Sequence, residues 1–164
     1  MYLYLLSKII AVLLSGLVAG LFYAFQYSVI NGLGLLGDKA YLSSFQAINK
    51  AILNPVFYAS FMGCLVILPI ASWLTYQNGD STAFIYLLAA TALYFVGVFG
   101  VTIFGNVPLN ETLARFNIPE ATPKELASLR ELFESPWNRY NLIRTIAAIF
   151  SFILTALSIM APNS

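Results

Sequence analysis

Four stretches of the sequence are predominantly apolar over the length of about 20 residues that an α-helix needs to cross a lipid bilayer. They cover residues 3–30, 55–76, 82–104 and 138–160. The bilayer core offers no water to hydrogen-bond a bare backbone, so spanning segments of this length must be helical. The sequence therefore predicts an all-α fold: an integral membrane four-helix bundle in which residues 1–164 form a single transmembrane domain.

The composition supports a lipid environment. Charged residues make up 9% of the chain and hydrophobic residues 60%, whereas a soluble domain carries about 25% charged residues. The net charge of +1 provides no basic surface for nucleic acid. The single cysteine, Cys64, lies inside an apolar run, where it cannot form an internal disulfide and is expected to be a small core residue.

The connection between the first two spans contains a second type of helix. Apolar side chains recur at helical spacing from Tyr41 to Ile52, with polar residues between them, which predicts a short amphipathic helix on the membrane surface. Asn54-Pro55 then supplies a cap and a first-turn proline for the second span.

The connection before the fourth span carries most of the charge. Thr122 and Glu125 form a capping-box pattern that predicts a helix running to Phe133, on which Arg130 and Glu134 are spaced to pair. Ser135-Pro136 repeats the cap-plus-proline signal, so a separate fourth helix is expected to start there.

The basic residues predict the orientation. Lys8 is alone at one side, while both long connections lie on the other side with the remaining seven of the 8 lysines and arginines. Under the positive-inside rule the long connections are cytoplasmic and both termini are outside, in what we expect to be the plasma (inner) membrane.

Two polar motifs interrupt the apolar pattern, at residues 105–111 and 137–144. On the fourth span, Trp137, Asn141 and Arg144 fall on one helical face, which continues as a stripe of small and hydroxyl side chains, whereas Arg139 points the opposite way. The stripe consists of Ala148, Ser151, Thr155 and Ser158. Buried polar groups are costly in a membrane, so this face is a candidate site.

A pocket is expected where this face meets Tyr23 and Tyr27 of the first span, which share a face with the close-packing pair Gly16 and Gly20. Structural alternatives remain open. Packing is the more common role of such glycines and hydroxyl groups, and Asn106 with Pro108 can equally mark the end of the third helix. Arg144 needs a partner, and it is either half of an ion pair or the anchor of a ligand.

Glu111 and Glu134 are the carboxylates expected to pair with Arg144 in the first case. The absence of histidine excludes imidazole-ligated haem, zinc and copper, a Ser-His-Asp triad and a carboxylate–histidine di-iron centre. No glycine-rich phosphate loop is present either. Arginine and asparagine donors suit a different task, the stabilisation of an enolate or phenolate of an aromatic substrate.

The motifs resemble those of the DUF1772 family, small four-helix membrane proteins that include the fungal anthrone oxygenases. The resemblance extends over nearly the whole chain. It rests on residues 16–22, on 45–50 followed by Asn54-Pro55, on 106–110, and on 137–141 with Arg144.

The resemblance implies an oxygenase that converts an anthrone-like phenolic substrate without metal, flavin or other cofactor. Arg144, Asn141 and Asn106 are then the catalytic candidates: Arg144 stabilises the substrate anion and the amides orient its oxygens. The substrate-binding candidates are Trp137, Asn110, Asn138, Tyr23 and Tyr27.

A non-enzymatic role competes with this prediction. The same chain is compatible with an accessory subunit of a larger membrane complex or with a lipid- or quinone-binding module, as a monomer or a homo-oligomer. A transporter is less favoured, because no carboxylate lies at the centre of a span to couple ion movement.

Overall fold

The computed structural model describes residues 2–161, which form helices joined by short turns and contain no strand. Helix α1 comprises Tyr2–Ala24, a π-helical stretch Phe25–Val29 and Ile30–Gly34. It is followed by α2 (Asp38–Ile52), α3 (Pro55–Gln77), α4 (Ser81–Arg115) and α5 (Pro123–Met160). Helices α1, α3, α4 and α5 are long and apolar enough to span a membrane. The chain is therefore an integral membrane protein with a four-helix bundle, as predicted.

Helix α4 changes its winding along its length. It contains α-helical Ser81–Leu93, π-helical Tyr94–Gly100 and Thr102–Asn106, and α-helical Val107–Arg115. A short 3₁₀ turn, Ile118–Glu120, links it to α5. The expected end of the third span at residue 104 is therefore not an end of the helix, and Asn106 and Pro108 do not terminate it.

The wider turns explain why Pro108 is tolerated. A proline cannot donate a backbone hydrogen bond, and its ring collides with the carbonyl four residues earlier in a regular α-helix. Immediately before Pro108, the N–H of Val107 donates to the carbonyl of Thr102, five residues back, as in a π turn. The wider turn admits the proline ring, and the helix continues.

The predicted break at Ser135-Pro136 is also wrong, because α5 is one continuous helix of 38 residues. Pro136 removes one helical hydrogen bond, at a cost of about 3 kcal/mol. Its neighbours Phe133 and Trp137 are each 2% exposed, and burial of two such side chains contributes roughly 3–6 kcal/mol. Packing of the aromatic rings thus outweighs the proline.

Capping residues begin the helices where the sequence predicts. The side chain of Asn54 accepts hydrogen bonds from the backbone N–H groups of Val56 and Phe57, each 3.0 Å long. The capping box of Thr122 and Glu125 is fully formed. Both predicted helix starts are confirmed.

Helix α2 packs on protein rather than only on the membrane surface. Tyr41, Leu42 and Phe45 are completely buried, in a cluster with side chains of α4 and α5 that include Leu113, Phe133 and Trp137. The amphipathic pattern correctly indicated a helix. The apolar face of α2 covers the parts of α4 and α5 that continue beyond the predicted spans.

Arg130 joins α5 to α2 at this end of the bundle. Its guanidinium contacts Glu134 at 2.7 Å, confirming the predicted pair, and Asp38 at 3.0 Å, and it lies 4.3 Å from the ring centre of Tyr41. Burial raises the pKa of the Tyr41 hydroxyl, so this side chain stays neutral beneath the cation.

The opposite end is held by a buried ion pair. The Nζ of Lys8 lies 3.3 Å from Oδ2 of Asp80 and donates a 2.9 Å hydrogen bond to the carbonyl of Ser158. Lys8 is 1% and Asp80 4% exposed. Because Lys8 comes from α1, Asp80 precedes α4 and Ser158 belongs to α5, this contact joins three spanning helices.

The polar stripe of α5 faces the interior, as predicted. All seven residues of the predicted face, the three site residues and the four of the stripe, are buried: Trp137, Asn141, Arg144, Ala148, Ser151, Thr155 and Ser158. Arg139 is exposed on the opposite side of the helix.

Candidate functional site

The two polar motifs meet at the end of the bundle covered by α2. The indole of Trp137 is enclosed by the rings of Phe25, Phe45 and Phe133, with ring centres 5.4, 4.8 and 6.3 Å away. Its Nε1 donates a 2.7 Å hydrogen bond to Oδ1 of Asn110. Helices α4 and α5 are thereby joined through the residues that the sequence singled out.

The same Asn110 oxygen accepts a second hydrogen bond, 3.1 Å long, from Nδ2 of Asn49 on α2. Asn110 therefore connects three helices. Asn49 lies in a segment that contributed to the family resemblance, but nothing in the sequence alone marked its amide as a partner of the motif.

Asn141 is completely buried and uses both ends of its amide. Its Nδ2 donates a 2.6 Å hydrogen bond to Oε1 of Gln26, and its Oδ1 accepts from Nε and Nη2 of Arg144 at 3.0 and 2.8 Å. Gln26 was missed by the sequence analysis. The signal available for it was an uncharged polar side chain near the end of an apolar span.

Arg144 has neither of the expected carboxylate partners. Glu111 pairs with Arg115 at 3.4 Å, and Glu134 pairs with Arg130. Among residues 2–161 no carboxylate lies within ion-pair distance of Arg144. The prediction of an ion pair for this residue is therefore wrong.

Aromatic rings take the place of a counter-ion. The guanidinium carbon of Arg144 lies 4.3 Å from the ring centre of Phe22 and 5.1 Å from that of Trp137, and Arg144 is 9% exposed. Cation–π contacts of this kind are worth about 2 kcal/mol when desolvated, less than the several kcal/mol that desolvating an ion costs. The site thus keeps a positive charge that is only partly compensated.

Two further predicted residues, Asn106 and Asn138, lie beside Trp137, and each has a side-chain oxygen that forms no hydrogen bond with the described residues. Asn106 is completely buried, and its Nδ2 donates a 3.3 Å hydrogen bond to the carbonyl of Trp137. The Oδ1 atoms of Asn106 and Asn138 are buried without a hydrogen-bond partner in the part of the chain that the structure describes. Buried acceptors without a partner are uncommon, which marks these two oxygens as candidates for a hydrogen bond from a ligand.

Tyr23 and Tyr27 are not part of this cluster. Both are 55% exposed, and their rings contact each other, 4.9 Å apart, on the outside of the bundle. The buried face of α1 runs instead through Ala11, Val18 and Phe22. The predicted pocket wall of first-span tyrosines is wrong because the helical face that holds them points outward.

The π-helical stretches of α1 and α4 surround this part of α5. Gln26 lies in the first, Gly97 in the second, and Gly105 and Asn106 in the third. A methyl group on Gly97 would meet Cβ of Ala147 at 2.5 Å, and one on Gly105 would meet the ring of Tyr140 at 2.7 Å. Since π turns recur at functional sites, their concentration here supports this end of the bundle as the site.

A groove of about 580 Å³ lies next to the cluster, between α2 and the extended end of α4. Polar side chains of Asn49, Lys50 and Asn110 line it together with the apolar Leu53, Tyr58 and Val107. Trp137 therefore contacts both a residue that lines the groove, Asn110, and the guanidinium of Arg144.

These observations define the class of the protein: it is a helical membrane protein with four spans and a buried arginine–asparagine–tryptophan cluster at one end. The family model described as "Anthrone oxygenase" matches residues 55–154. The chain therefore belongs to the anthrone oxygenase family, and the predicted family is confirmed, although the segments 16–22 and 45–50 lie outside the matched range. The matched range contains Asn106, Asn110, Trp137, Asn141 and Arg144. Neither a comparison with curated proteins nor one with solved structures finds a match.

Proposed function

We propose that the protein is a membrane-embedded oxygenase that binds an aromatic, phenolic substrate of the anthrone type and promotes its direct reaction with molecular oxygen. The observation that carries this proposal is Arg144, a buried cation without a carboxylate partner among the described residues. A delocalised aromatic anion supplies the missing negative charge. Aromatic faces, like those of Phe22 and Trp137 that cover the guanidinium, are also favourable neighbours for a flat ring.

The roles of the residues follow from this position. Arg144, oriented by Asn141, stabilises the substrate anion and thereby favours loss of the proton from the substrate. Asn106 and Asn138 offer unpartnered oxygens to hydroxyl groups of the substrate. Trp137 contacts both Asn110, which lines the groove, and Arg144.

The chemistry requires no electron donor other than the substrate. The anion of an anthrone transfers electrons from its central carbon to oxygen. One oxygen atom becomes the new carbonyl oxygen of an anthraquinone, and the other leaves as water with the two hydrogen atoms of the original methylene group. The protein contributes electrostatic stabilisation and exclusion of bulk water.

We propose that the site lies at the cytoplasmic face of the plasma membrane, because the basic residues concentrate at this end of the bundle. Lys8, at the other end, forms a buried ion pair with Asp80. It therefore adds no free positive charge to that side of the membrane.

Oxygen consumption tests the function. Purified protein in detergent micelles is mixed with an anthrone bearing phenolic hydroxyl groups, and oxygen uptake and quinone absorbance are recorded together. We expect uptake above the spontaneous rate, with one quinone formed per oxygen molecule. A rate equal to that of the Arg144→Met variant or of micelles without protein contradicts the proposal.

A non-enzymatic alternative has one observation in its favour. Trp137 is 2% exposed, and its indole already contacts rings on three sides, so the cluster as it stands also fixes α2 against α4 and α5. In that case the protein is a structural subunit or a binding module. Stoichiometric recovery with the same partner or quinone, together with no oxygen uptake, favours this alternative.

A further inference from the structure

The orientation of two amides in the groove is fixed by Trp137. An indole N–H can only donate a hydrogen bond, so the atom of Asn110 that faces it must be the oxygen. That oxygen also faces the amide of Asn49, whose nearer atom must then be the nitrogen. Trp137 thus decides which atom each amide has left for a ligand.

The remaining atoms are complementary. Among residues 2–161, Nδ2 of Asn110 and Oδ1 of Asn49 have no hydrogen-bond partner, so Asn110 keeps a donor and Asn49 keeps an acceptor. Both side chains line the groove of about 580 Å³. Lys50 and Glu111 line the same groove; Glu111 pairs with Arg115 at 3.4 Å, whereas Lys50 forms no ion pair among the described residues. The polar part of the lining therefore presents a donor, an acceptor and an ammonium group without an ion-pair partner.

The other wall is apolar. It is formed by Ile52, Leu53 and Tyr58, around the turn between α2 and α3, together with Val107 of α4. Leu53 is 61% and Tyr58 41% exposed. A ligand that fits both walls has a flat hydrophobic body and one polar edge.

We infer that the groove binds a planar aromatic ligand whose polar edge carries a hydroxyl group beside an anionic oxygen. The anionic oxygen accepts hydrogen bonds from Asn110 Nδ2 and the Lys50 ammonium, the hydroxyl donates to Asn49 Oδ1, and the rings lie on Leu53 and Tyr58. This inference rests on the proposed function, since the ligand is the phenolic substrate on its way to Arg144. An acidic phospholipid shares the chemistry of an apolar body with an anionic oxygen, and the test separates the two sources.

Fluorescence of Trp137 provides the measurement. The chain contains 2 tryptophans, and Trp73 lies at the other end of the bundle, 59% exposed. In the Trp73→Phe variant the emission therefore reports on Trp137 alone. Protein in phosphatidylcholine nanodiscs is titrated with an anthraquinone that has a catechol edge, a stable ligand that undergoes no oxygenation.

We expect saturable quenching and, in Lys50→Gln, binding weakened about tenfold, the size of one charge-assisted hydrogen bond. Lys39→Gln is the matched control, an exposed lysine at the other end of α2, and should bind like the parent. Equal affinity of the Lys50→Gln variant and the parent overturns the inference. So does loss of quenching when phosphatidylglycerol replaces part of the phosphatidylcholine, because the groove is then a lipid site.

The hydroxyl contact is tested by a cycle of ligand and protein changes. An anthraquinone with a single hydroxyl group should bind the parent several-fold more weakly than the catechol-edged ligand. This difference should vanish in Asn49→Ala, which lacks the acceptor. An undiminished difference in Asn49→Ala, with unchanged Trp137 emission before titration, contradicts the assigned contact.

The two proposals fail separately. Quenching that depends on Lys50 and Asn49, combined with no oxygen uptake from an anthrone, removes the oxygenase function and leaves the binding site. Oxygen uptake whose KM is unchanged in Lys50→Gln and Asn49→Ala removes the groove site and leaves the oxygenase function.

Discussion

Arg144 donates two hydrogen bonds to one oxygen atom, Oδ1 of Asn141, which lies one turn earlier on the same helix. Because Asn141 is neutral, this contact orients the guanidinium without cancelling its charge. Asn141 is itself held by Gln26 from α1. The cation is therefore fixed in position by two amides and covered by two aromatic rings, an arrangement suited to receiving an anion.

Replacement of Trp137 should measure how much its hydrogen bond and its ring packing contribute to stability. Trp137→Phe keeps most of the ring packing but loses the hydrogen bond to Asn110, so we expect a modest fall in thermal stability, equivalent to about 1 kcal/mol. Trp137→Ala removes a buried ring and should cost about 3–5 kcal/mol. Thermal unfolding in a fixed detergent measures both, and equal stabilities of the two variants contradict the account.

Substitutions of Lys8 and Asp80 should have strongly non-additive effects on stability, because the two side chains form a buried ion pair. Lys8→Met leaves a buried, unpaired carboxylate, and loss of about 3–5 kcal/mol of stability is expected. Asp80→Asn in addition removes that charge while keeping an oxygen for the backbone N–H of Ala83, which Asp80 caps at 3.0 Å. The double variant should therefore recover more than half of the loss in thermal unfolding. Additive losses in the double variant count against a buried pair.

Two glycines with different surroundings give a matched test of helix packing. Gly97→Ala places a methyl group 2.5 Å from Cβ of Ala147, so overpacking should cost about 1–3 kcal/mol. The compensating change Ala147→Gly should restore most of this stability. Within the described part of the chain a methyl group on Gly20 meets nothing within 4 Å, so Gly20→Ala should leave the melting temperature unchanged or slightly higher. A larger loss for Gly20→Ala than for Gly97→Ala is incompatible with the observed helix contacts.

The orientation can be measured by labelling of introduced thiols. The native Cys64 is buried and should not react with a membrane-impermeant maleimide, which leaves a silent background. Lys124→Cys, before the last span, should be labelled only after the cells are permeabilised. Asn78→Cys, in the short turn between α3 and α4, should be labelled in intact spheroplasts. The opposite pattern reverses the proposed topology.

The sequence was sufficient for the spans and for the buried face of α5. Long apolar runs determine helices in a bilayer, and the spacing of Trp137, Asn141 and Arg144 determines that they share a face. Capping residues such as Asn54 and Thr122 also located helix starts correctly, because their side-chain hydrogen bonds are local.

The failures involve contacts that local sequence does not encode. Pro108 and Pro136 suggested helix ends, but a π turn and buried aromatic rings carry the helix past them. The partners of Arg144 and Lys8 depend on which residues of distant helices come together in space. Gln26 and Asn49 became identifiable only once α1 and α2 were placed against the motifs.

If Arg144 serves to bind an anion, its removal should lower activity without lowering stability. Arg144→Met replaces a poorly compensated buried cation with an apolar side chain of similar length, so the melting temperature should stay the same or rise. Oxygen uptake with a phenolic anthrone should fall at least about tenfold, the loss expected when a charged hydrogen-bond donor to the reacting anion is removed.

Arg139→Met is the control, since Arg139 is exposed on the opposite side of the same helix. The decisive measurement is therefore oxygen uptake and thermal unfolding of Arg144→Met and Arg139→Met, made on the same preparations. We predict that only Arg144→Met loses activity and that it does so without loss of stability. Full activity in Arg144→Met, or a large loss of stability in that variant, would show that Arg144 is a structural residue and contradict the account.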